Sequence, residues 1–465
     1  MRNKSGKVST FIIILAIFIL IAALPWYFIV SRHLGLREAS EKPSHELIHD
    51  EDTDADELSG NEHEEVPEPS PDISAEPDTA DVHDGGNIDI RSHNPQLFGE
   101  LNNISSQADA VAVALVYFDG RTGEFFNYEY GHAELETRRS VNIDTKFRVA
   151  SLSKLTTAIC ALILVDEGLL DLDTDISVYL GYEVVNTYYP ASVITTRMLL
   201  QHTSSIFDSG AFDASRNRDS SESIRHLIER GGSFRRSQPG TRYEYVNFGY
   251  AIIGAICENV SGKTLDSFAR ERIFEPLGID ASYLSKNLHD TENIAAVYNE
   301  RHLVTRSVEA LMTTAESSVL GHDLHLAQGS LMISAVDYAK ILVMLGNGGI
   351  LGNVRILSQN AVDEMHDANV DADTFRQGLA IRYTFGDFIP GEGFYWHTGS
   401  AFGLFSQYIQ TSSSDKNQGV VVVMTGATTD LDPNGMVSVC SDLSEVVWRS
   451  LAENDGEEII YDDYP

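Results

Sequence analysis

Hydrophobic and polar positions divide this chain into three stretches of different character. Residues 11–30 form an uninterrupted apolar run with no charged side chain. A run of that length crosses a bilayer core as a helix, at about 1.5 Å per residue. Pro25 lies near its far end, and Trp26 and Tyr27 suit a membrane–water interface. The run is long for the apolar region of a cleaved signal peptide, and no A-x-A-like site follows it before Arg32. It predicts an uncleaved transmembrane helix at 11–30 behind a cytoplasmic N-terminus at 1–10. Basic residues flank both sides (Arg2, Lys4 and Lys7 before, Arg32 and Arg37 after), so they orient the span only weakly.

The second stretch has almost no apolar pattern. Residues 38–86 hold eighteen Asp and Glu against one Lys, with five prolines and no aromatic residue. Such a segment buries too little apolar surface to offset its ordering entropy, and self-repulsion extends it. It predicts a disordered acidic linker over 31–92, holding a domain off the membrane.

Periodic patterns begin near residue 94. Residues 94–106 read as a helix. The apolar, valine-rich run 110–118 and the aromatic run 125–130 flank Asp119-Gly120-Arg121-Thr122-Gly123, a turn signal, and so predict a β-hairpin. Residues 151–366 are mostly helical and loop-like. Strand patterns return at 393–396, 404–410 and 420–424, with a polar turn at 412–417, and 436–452 reads as a closing helix. A sheet begun early, interrupted by a helical insertion and finished late predicts an α+β domain over 93–455, with two lobes and a cleft between them. An acidic tail at 456–465 follows. There is no internal repeat.

Composition narrows the function. The net charge of −36 disfavours nucleic-acid binding, which draws on Lys and Arg displacing counterions. The three cysteines, Cys160, Cys257 and Cys440, lie in apolar helical stretches and read as small buried hydrophobes. A disulfide between two of them stays open at this level. None sits in a polar setting that would make a thiol nucleophile.

Candidate chemistry begins at Ser151. Lys154 follows at i+3, on the same helix face, in an apolar stretch that runs to Gly168, a C-cap signal. A serine hydroxyl needs a base to remove its proton. Lysine does this once desolvation or a neighbouring cation lowers its pKa. A second S-x-x-K, Ser413 to Lys416, lies in the polar turn and reads as a solvated loop. Tyr245 and Asn247 form the only Y-x-N in the chain. They stand in a loop before an apolar helix. A tyrosine beside a lysine can exist partly as phenolate and relay a proton, and an asparagine amide can orient a lysine and a substrate carbonyl. His397, Thr398 and Gly399 end a strand. The glycine there would let a substrate backbone approach the edge and add alongside it. Arg121-Thr122-Gly123 belongs to the hairpin turn.

These three segments, in this order, resemble the three motifs of the serine β-lactamase and penicillin-binding-protein superfamily. Its class C-like branch, which includes esterases and D-aminopeptidases, is the nearest match. Met198-Leu199-Leu200-Gln201-His202-Thr203-Ser204, Leu277-Gly278-Ile279 and Gly329-Ser330-Leu331 fit as well, and the resemblance covers roughly 111–451. It implies a five-stranded antiparallel sheet flanked by terminal helices, with a large helical lobe. It also implies acylation of Ser151, proton work shared by Lys154 and Tyr245, and substrate binding by Asn247, His397, Thr398 and Gly399. The backbone N–H groups of Ser151 and Ser400 would form an oxyanion hole.

Two departures qualify the resemblance. His397 stands where β-lactamases carry lysine, which weakens a grip on a substrate carboxylate. The Leu-Leu-x-His-Thr-Ser-Gly stretch of the family ends here in Ser205, and His202 reads as structural. His322 and His325 lack the acidic or Cys partners of a metal site, and no cofactor is expected. The expected function is a membrane-anchored extracytoplasmic serine hydrolase. Its substrates would be D-amino-acid peptides (cell-wall peptide among them), β-lactams or small esters. The alternative is a penicillin-binding or sensing module of the same fold that does not turn over.

Overall fold

A computed structural model describes residues 86–452, apart from 216–222, 231, 387, 390 and 433–434. The predicted membrane span, nearly all of the acidic linker and the C-terminal tail lie outside the described residues. Among the described residues no helix is long and apolar enough to cross a membrane.

The sheet strands in chain order are β1 (Asn87–Asp89), β2 (Ala112–Asp119), β3 (Glu124–Glu134), β4 (Arg139–Ser140), β5 (Val370–Ala372), β6 (Phe375–Gln377), β7 (Arg382–Phe385), β8 (Gly393–Ala401), β9 (Leu404–Thr411) and β10 (Gln418–Thr425). The main helices are α1 (Pro95–Gln107), α2 (Ser153–Asp166), α3 (Phe248–Ser261), α4 (Ala335–Gly346) and α5 (Ser438–Leu451). The sheet runs β1-β3-β2-β10-β9-β8-β7-β6-β5, with β4 attached to β3. The predicted five strands are therefore its long centre, β3-β2-β10-β9-β8, within a ten-stranded whole. Nor is the sheet purely antiparallel, because β1 pairs parallel to β3. The added strands are two to four residues long, too short to carry a readable alternation. The fold also starts before residue 93: β1 lies inside the predicted linker, and Ile90 is fully buried.

Side-chain alternation explains why β2 and β10 are buried along their whole length. Successive strand residues face opposite sides. Ala112, Ala114, Val116, Phe118, Val421 and Val423 pack into the core shared with the helical lobe. Val113, Leu115, Tyr117, Val420, Val422 and Met424 pack with residues of α1 and α5. The sheet is thus covered on both faces, and its centre reads as continuous apolar runs. Asn94 caps α1, its Oδ1 accepting from Leu97 N at 3.0 Å. Helix α2 is buried from Ser153 through Leu164 and ends at Gly168, whose φ of +70° the chain needs to leave the helix. All three cysteines are free and buried, so the open disulfide does not form.

Candidate active site

Ser151 sits where the helical lobe meets the sheet. The short strand Phe147–Arg148 pairs with Met332–Ile333, and Val149 N donates to Leu331 O at 3.0 Å. Ala150 then takes φ +47°, a left-handed backbone rarely adopted by a residue with a Cβ. A 3-10 turn over Ala150–Leu152 follows, and α2 continues from it. Ser153 Oγ ties the turn down, donating to Ala150 O at 2.6 Å and accepting from Leu331 N at 3.0 Å. Strain at one residue thus presents the serine at the helix entry.

Lys154 lies one turn along, fully buried. Its Nζ is 3.2 Å from Ser151 Oγ, 2.9 Å from Asn247 Oδ1 and 2.7 Å from Gln328 O. Tyr245 arrives from the loop before α3, and its hydroxyl donates to Ser151 Oγ at 2.8 Å. Burial pushes the Tyr245 phenol up to about 12, against the opposing pull of the Ser151 hydrogen bond and the Arg382 charge. Burial thus works against the expected partial phenolate, and Lys154 Nζ lies over the Tyr245 ring, 5.1 Å from the centroid.

Asn247 owes its orientation to Asp208, which the sequence reading missed. Asp208 accepts from Asn247 N at 2.9 Å, Asn247 Nδ2 at 2.8 Å and Phe248 N at 2.8 Å. With Nδ2 committed to Asp208, the amide oxygen turns to Lys154. The same carboxylate caps the first N–H groups of α3. Asp208 lies 39 positions from Asn247, with no local motif to mark it.

His202 does not touch the reacting atoms. It is buried, its Nδ1 accepts from Val246 N at 3.2 Å, and its ring lies 4.5 Å from that of Tyr245. Burial, with the charges of Lys154 and Arg382, holds it well below the ordinary histidine range. It is a neutral prop under the Tyr245 loop. Ser205, in the place of the family glycine, adopts φ +64° and accepts from Asn186 Nδ2 at 2.8 Å.

On β8, His397 is buried and its Nδ1 lies 2.7 Å from Thr398 O. A carbonyl only accepts, so Nδ1 carries the proton. Burial, then Arg382 and Lys154, push His397 well below its ordinary value. It is a neutral ring and does not supply the missing lysine's charge. Gly399 is also constrained from within the protein. A Cβ there would lie 2.6 Å from Val149 O and 3.1 Å from Ser151 N, and would collide with Ser406 Oγ. The strand is docked directly on the turn that presents Ser151. Pairing of β8 with β7 stops at Trp396, so His397 to Ala401 form an edge unpaired on that side, with Thr398 half-buried and Ser400 exposed.

A family model described as Beta-lactamase matches residues 102–436. The chain belongs to the β-lactamase family. Penicillin-binding protein 4 of Amycolatopsis lactamdurans is 32% identical over 172 residues, covering 37% of this chain and 44% of that one. Lovastatin esterase of Penicillium rubens is 30% identical over 247 residues, 48% of this chain and 59% of that one. The chain spans less than half the length of the first curated relatives it matches. Among solved structures, the D-amino acid amidase from Ochrobactrum anthropi has a TM-score of 0.60 at 22% identity, covering 78% of this chain and all of that one. A class C beta lactamase from Rhodobacter sphaeroides has a TM-score of 0.60 at 18% identity, covering 76% and 99%. These two share the fold.

Within this member of the β-lactamase family, Arg382 on β7 is the second residue the sequence reading missed. Its guanidinium lies 5.7 Å from the Tyr245 ring centroid, 4.6 Å from Phe375 and 4.9 Å from Trp396. Its Nε is buried without a hydrogen-bond partner. Beside it, a cavity of about 720 Å³ is lined by Thr203, Arg242, Tyr243, Asp371 and Phe375, among others. An isolated arginine on a three-residue spacing from nothing recognisable gives no signal in one sequence.

Proposed function

We propose that the protein is a serine hydrolase that works through an acyl-enzyme on Ser151. The observation that carries this is the sharing of Ser151 Oγ between Lys154 Nζ at 3.2 Å and the Tyr245 hydroxyl at 2.8 Å. When Oγ attacks a carbonyl, its proton passes to Lys154 in the neutral amine form. The phenol of Tyr245 hands its own proton to the leaving group, and the new ammonium restores the phenol. Water repeats the sequence on the acyl-enzyme. Backbone N–H groups of Ser151 and Ser400 would hold the oxyanion, a donor of this kind being worth about 3–4 kcal/mol.

Arg382 shapes the substrate choice. With His397 neutral, the guanidinium is a second cation beside Tyr245 after Lys154, and its planar fork suits a carboxylate on the leaving group. That favours D-amino-acid peptides and β-lactams, which carry such a carboxylate, over neutral esters. Relatives named penicillin-binding protein and esterase, and a structural neighbour named D-amino acid amidase, support acyl transfer in general. The uncharged run at 11–30 supports a single membrane anchor with the hydrolase domain on the extracytoplasmic side, within reach of cell-wall peptide.

The test uses the full chain, a fluorescent penicillin and a chromogenic cephalosporin, a D-alanyl-D-alanine peptide and a nitrophenyl ester. Labelling with turnover, both lost in Ser151→Ala, is the expected result. Labelling without turnover of any of the three substrates would favour a sensing module, and a fully active Ser151→Ala would remove Ser151 as nucleophile.

A further inference from the structure

Two cations on the far side of the nucleophile have no role in this scheme. Arg148 precedes Ser151 by three residues, and Arg306 ends the short strand Val304–Arg306. Both guanidiniums lie over one ring, that of Phe402, at 5.2 Å and 3.7 Å from its centroid. Their hydrogen-bond partners are backbone carbonyls: Arg148 Nε donates to Gly329 O at 2.6 Å, and Arg306 Nη1 to Thr305 O at 2.8 Å. Among the described residues neither is paired with a carboxylate, and the charge acting on Arg148 is that of Arg306. In a chain with 69 acidic residues, two like charges on one ring with no carboxylate partner among the described residues are conspicuous.

Phe402 adds an independent observation. It occupies the two-residue turn between β8 and β9, with φ +60° at Phe402 and +96° at Gly403. A turn with positive φ at both positions ordinarily takes Asn, Asp or Gly first, and a bulky residue there is strained. The ring gains no core burial in return, since it is 43% exposed. Thr305 Oγ1 holds the turn, donating to Phe402 O at 2.6 Å. Backbone strain that keeps an aromatic ring partly in solvent beside two guanidiniums points to something that docks there.

We propose that Arg148, Arg306 and Phe402 form an anion subsite for the acyl-donor side of the substrate. A carboxylate or phosphate oxygen pairs with the guanidiniums, and the adjoining apolar chain lies on the ring. This rests on Ser151 being the nucleophile. Five residues of open edge, His397 to Ala401, separate this pole from the Arg382 end, a span of roughly 17 Å. A substrate with an anion at each end then lies along the edge, its leaving group toward Arg382 and its acyl chain toward Phe402.

The test compares nitrophenyl esters of equal length whose acyl chains end in a carboxylate (glutarate), a phosphonate or a methyl group (valerate). Full-length protein should favour an anionic acyl chain at least tenfold in kcat/KM, and the better anion tells carboxylate from phosphate. Arg306→Ala and Phe402→Gly should each cut the anionic-to-neutral ratio about tenfold. Phe402→Gly also relieves the turn, so a fall in its ratio is not a failure to fold. A ratio that stays within twofold of the parent in Arg306→Ala overturns the subsite. Binding is read separately, without turnover, as the thermal shift that glutarate or inorganic phosphate gives to Ser151→Ala. A shift abolished by adding Arg306→Ala supports the subsite even if no ester is hydrolysed, in which case the serine-hydrolase reading falls alone. No anion-dependent shift, or one indifferent to Arg306→Ala, overturns the subsite whatever the turnover.

Discussion

Asp208 and Asn247 are joined through both the backbone N–H and the side-chain amide of Asn247, at 2.9 Å and 2.8 Å. This double contact decides which end of the amide faces Lys154. In Asp208→Asn the acceptor pair is replaced by one acceptor and one donor, so the amide of Asn247 loses its fixed orientation. Hydrogen bonds to a charged group contribute about 1.5–3 kcal/mol each. The expected outcome is an acylation rate lowered by roughly tenfold to a hundredfold and a lower Tm, read by stopped-flow labelling and thermal unfolding. An Asp208→Asn protein acylated at the parental rate would show that Lys154 is oriented by its other partners.

Tyr245→Phe tests the assignment of a protonated phenol. Loss of a positioned proton donor typically costs about 10² to 10⁴ in rate, and turnover should fall by that order while slow labelling of Ser151 persists. The phenol is pushed up to about 12 in the fold, so its ionisation leaves the activity profile flat through pH 9. Stability follows the same sign. Between pH 10 and 12 the unfolded chain releases this proton first, so stability present below pH 10 is lost as pH rises toward 12. Tyr245→Phe should remove that component of the alkaline loss, measured by urea unfolding across the range.

Two buried histidines make an opposite prediction in acid. His202 and His397 are both held well below their ordinary value, chiefly by burial. Below about pH 6.5 the unfolded chain takes up protons that these rings refuse. Stability is therefore complete above that pH and declines as pH falls, by up to about 1.4 kcal/mol per histidine per pH unit. His366, pushed down to about 4 by burial against Tyr395, adds in the same direction. His202→Gln should flatten the acid limb of a plot of unfolding free energy against pH. An unchanged slope would mean that other groups govern it.

What the sequence disclosed follows from where its signals are local. Ser151 and Lys154 were legible because i+3 spacing in an apolar helix is a local fact, and β2 and β10 because both faces are covered and their residues are apolar apart from Asp119, Gln418 and Thr425 at their ends. Tyr245, Asn247 and His397 became legible through the ordered resemblance and not through their own neighbourhoods. Asp208 and Arg382 stayed hidden because their roles exist only after residues far apart in the chain meet. The strands β5 to β7 stayed hidden because three or four residues cannot display a period. Gly399 carries a second constraint that one sequence does not show: its close contact with the turn that presents Ser151.

Gly399→Ala isolates that docking. The added methyl would lie 2.6 Å from Val149 O, a backbone atom that cannot swing aside. Overpacking of this kind costs about 1–3 kcal/mol, and any relief must shift the turn that presents Ser151. Labelling by a penicillin probe should slow by at least tenfold, with a Tm loss smaller than a core truncation would give. If labelling is normal while substrate affinity falls, the glycine serves the substrate after all.

Arg382 carries the last prediction, because it separates carboxylate recognition from proton transfer. Its guanidinium packs on Tyr245, Phe375 and Trp396, and its Nε has no partner. Arg382→Met keeps a long apolar stem for the aromatic cage but removes the charge and the donors. For a substrate whose leaving group bears a carboxylate, KM should rise roughly tenfold to a hundredfold, the loss of one charge-assisted hydrogen bond or two. For a nitrophenyl ester with a neutral leaving group the rise should be far smaller. Arg382→Lys should recover only part of the loss, since a point charge cannot reproduce the planar fork. Equal losses on charged and neutral substrates would instead make Arg382 a support for Tyr245. In that case kcat would fall alike on both substrates while KM held, and the profile would stay flat through pH 9, because losing the charge that opposes the rise of the Tyr245 phenol only raises it further.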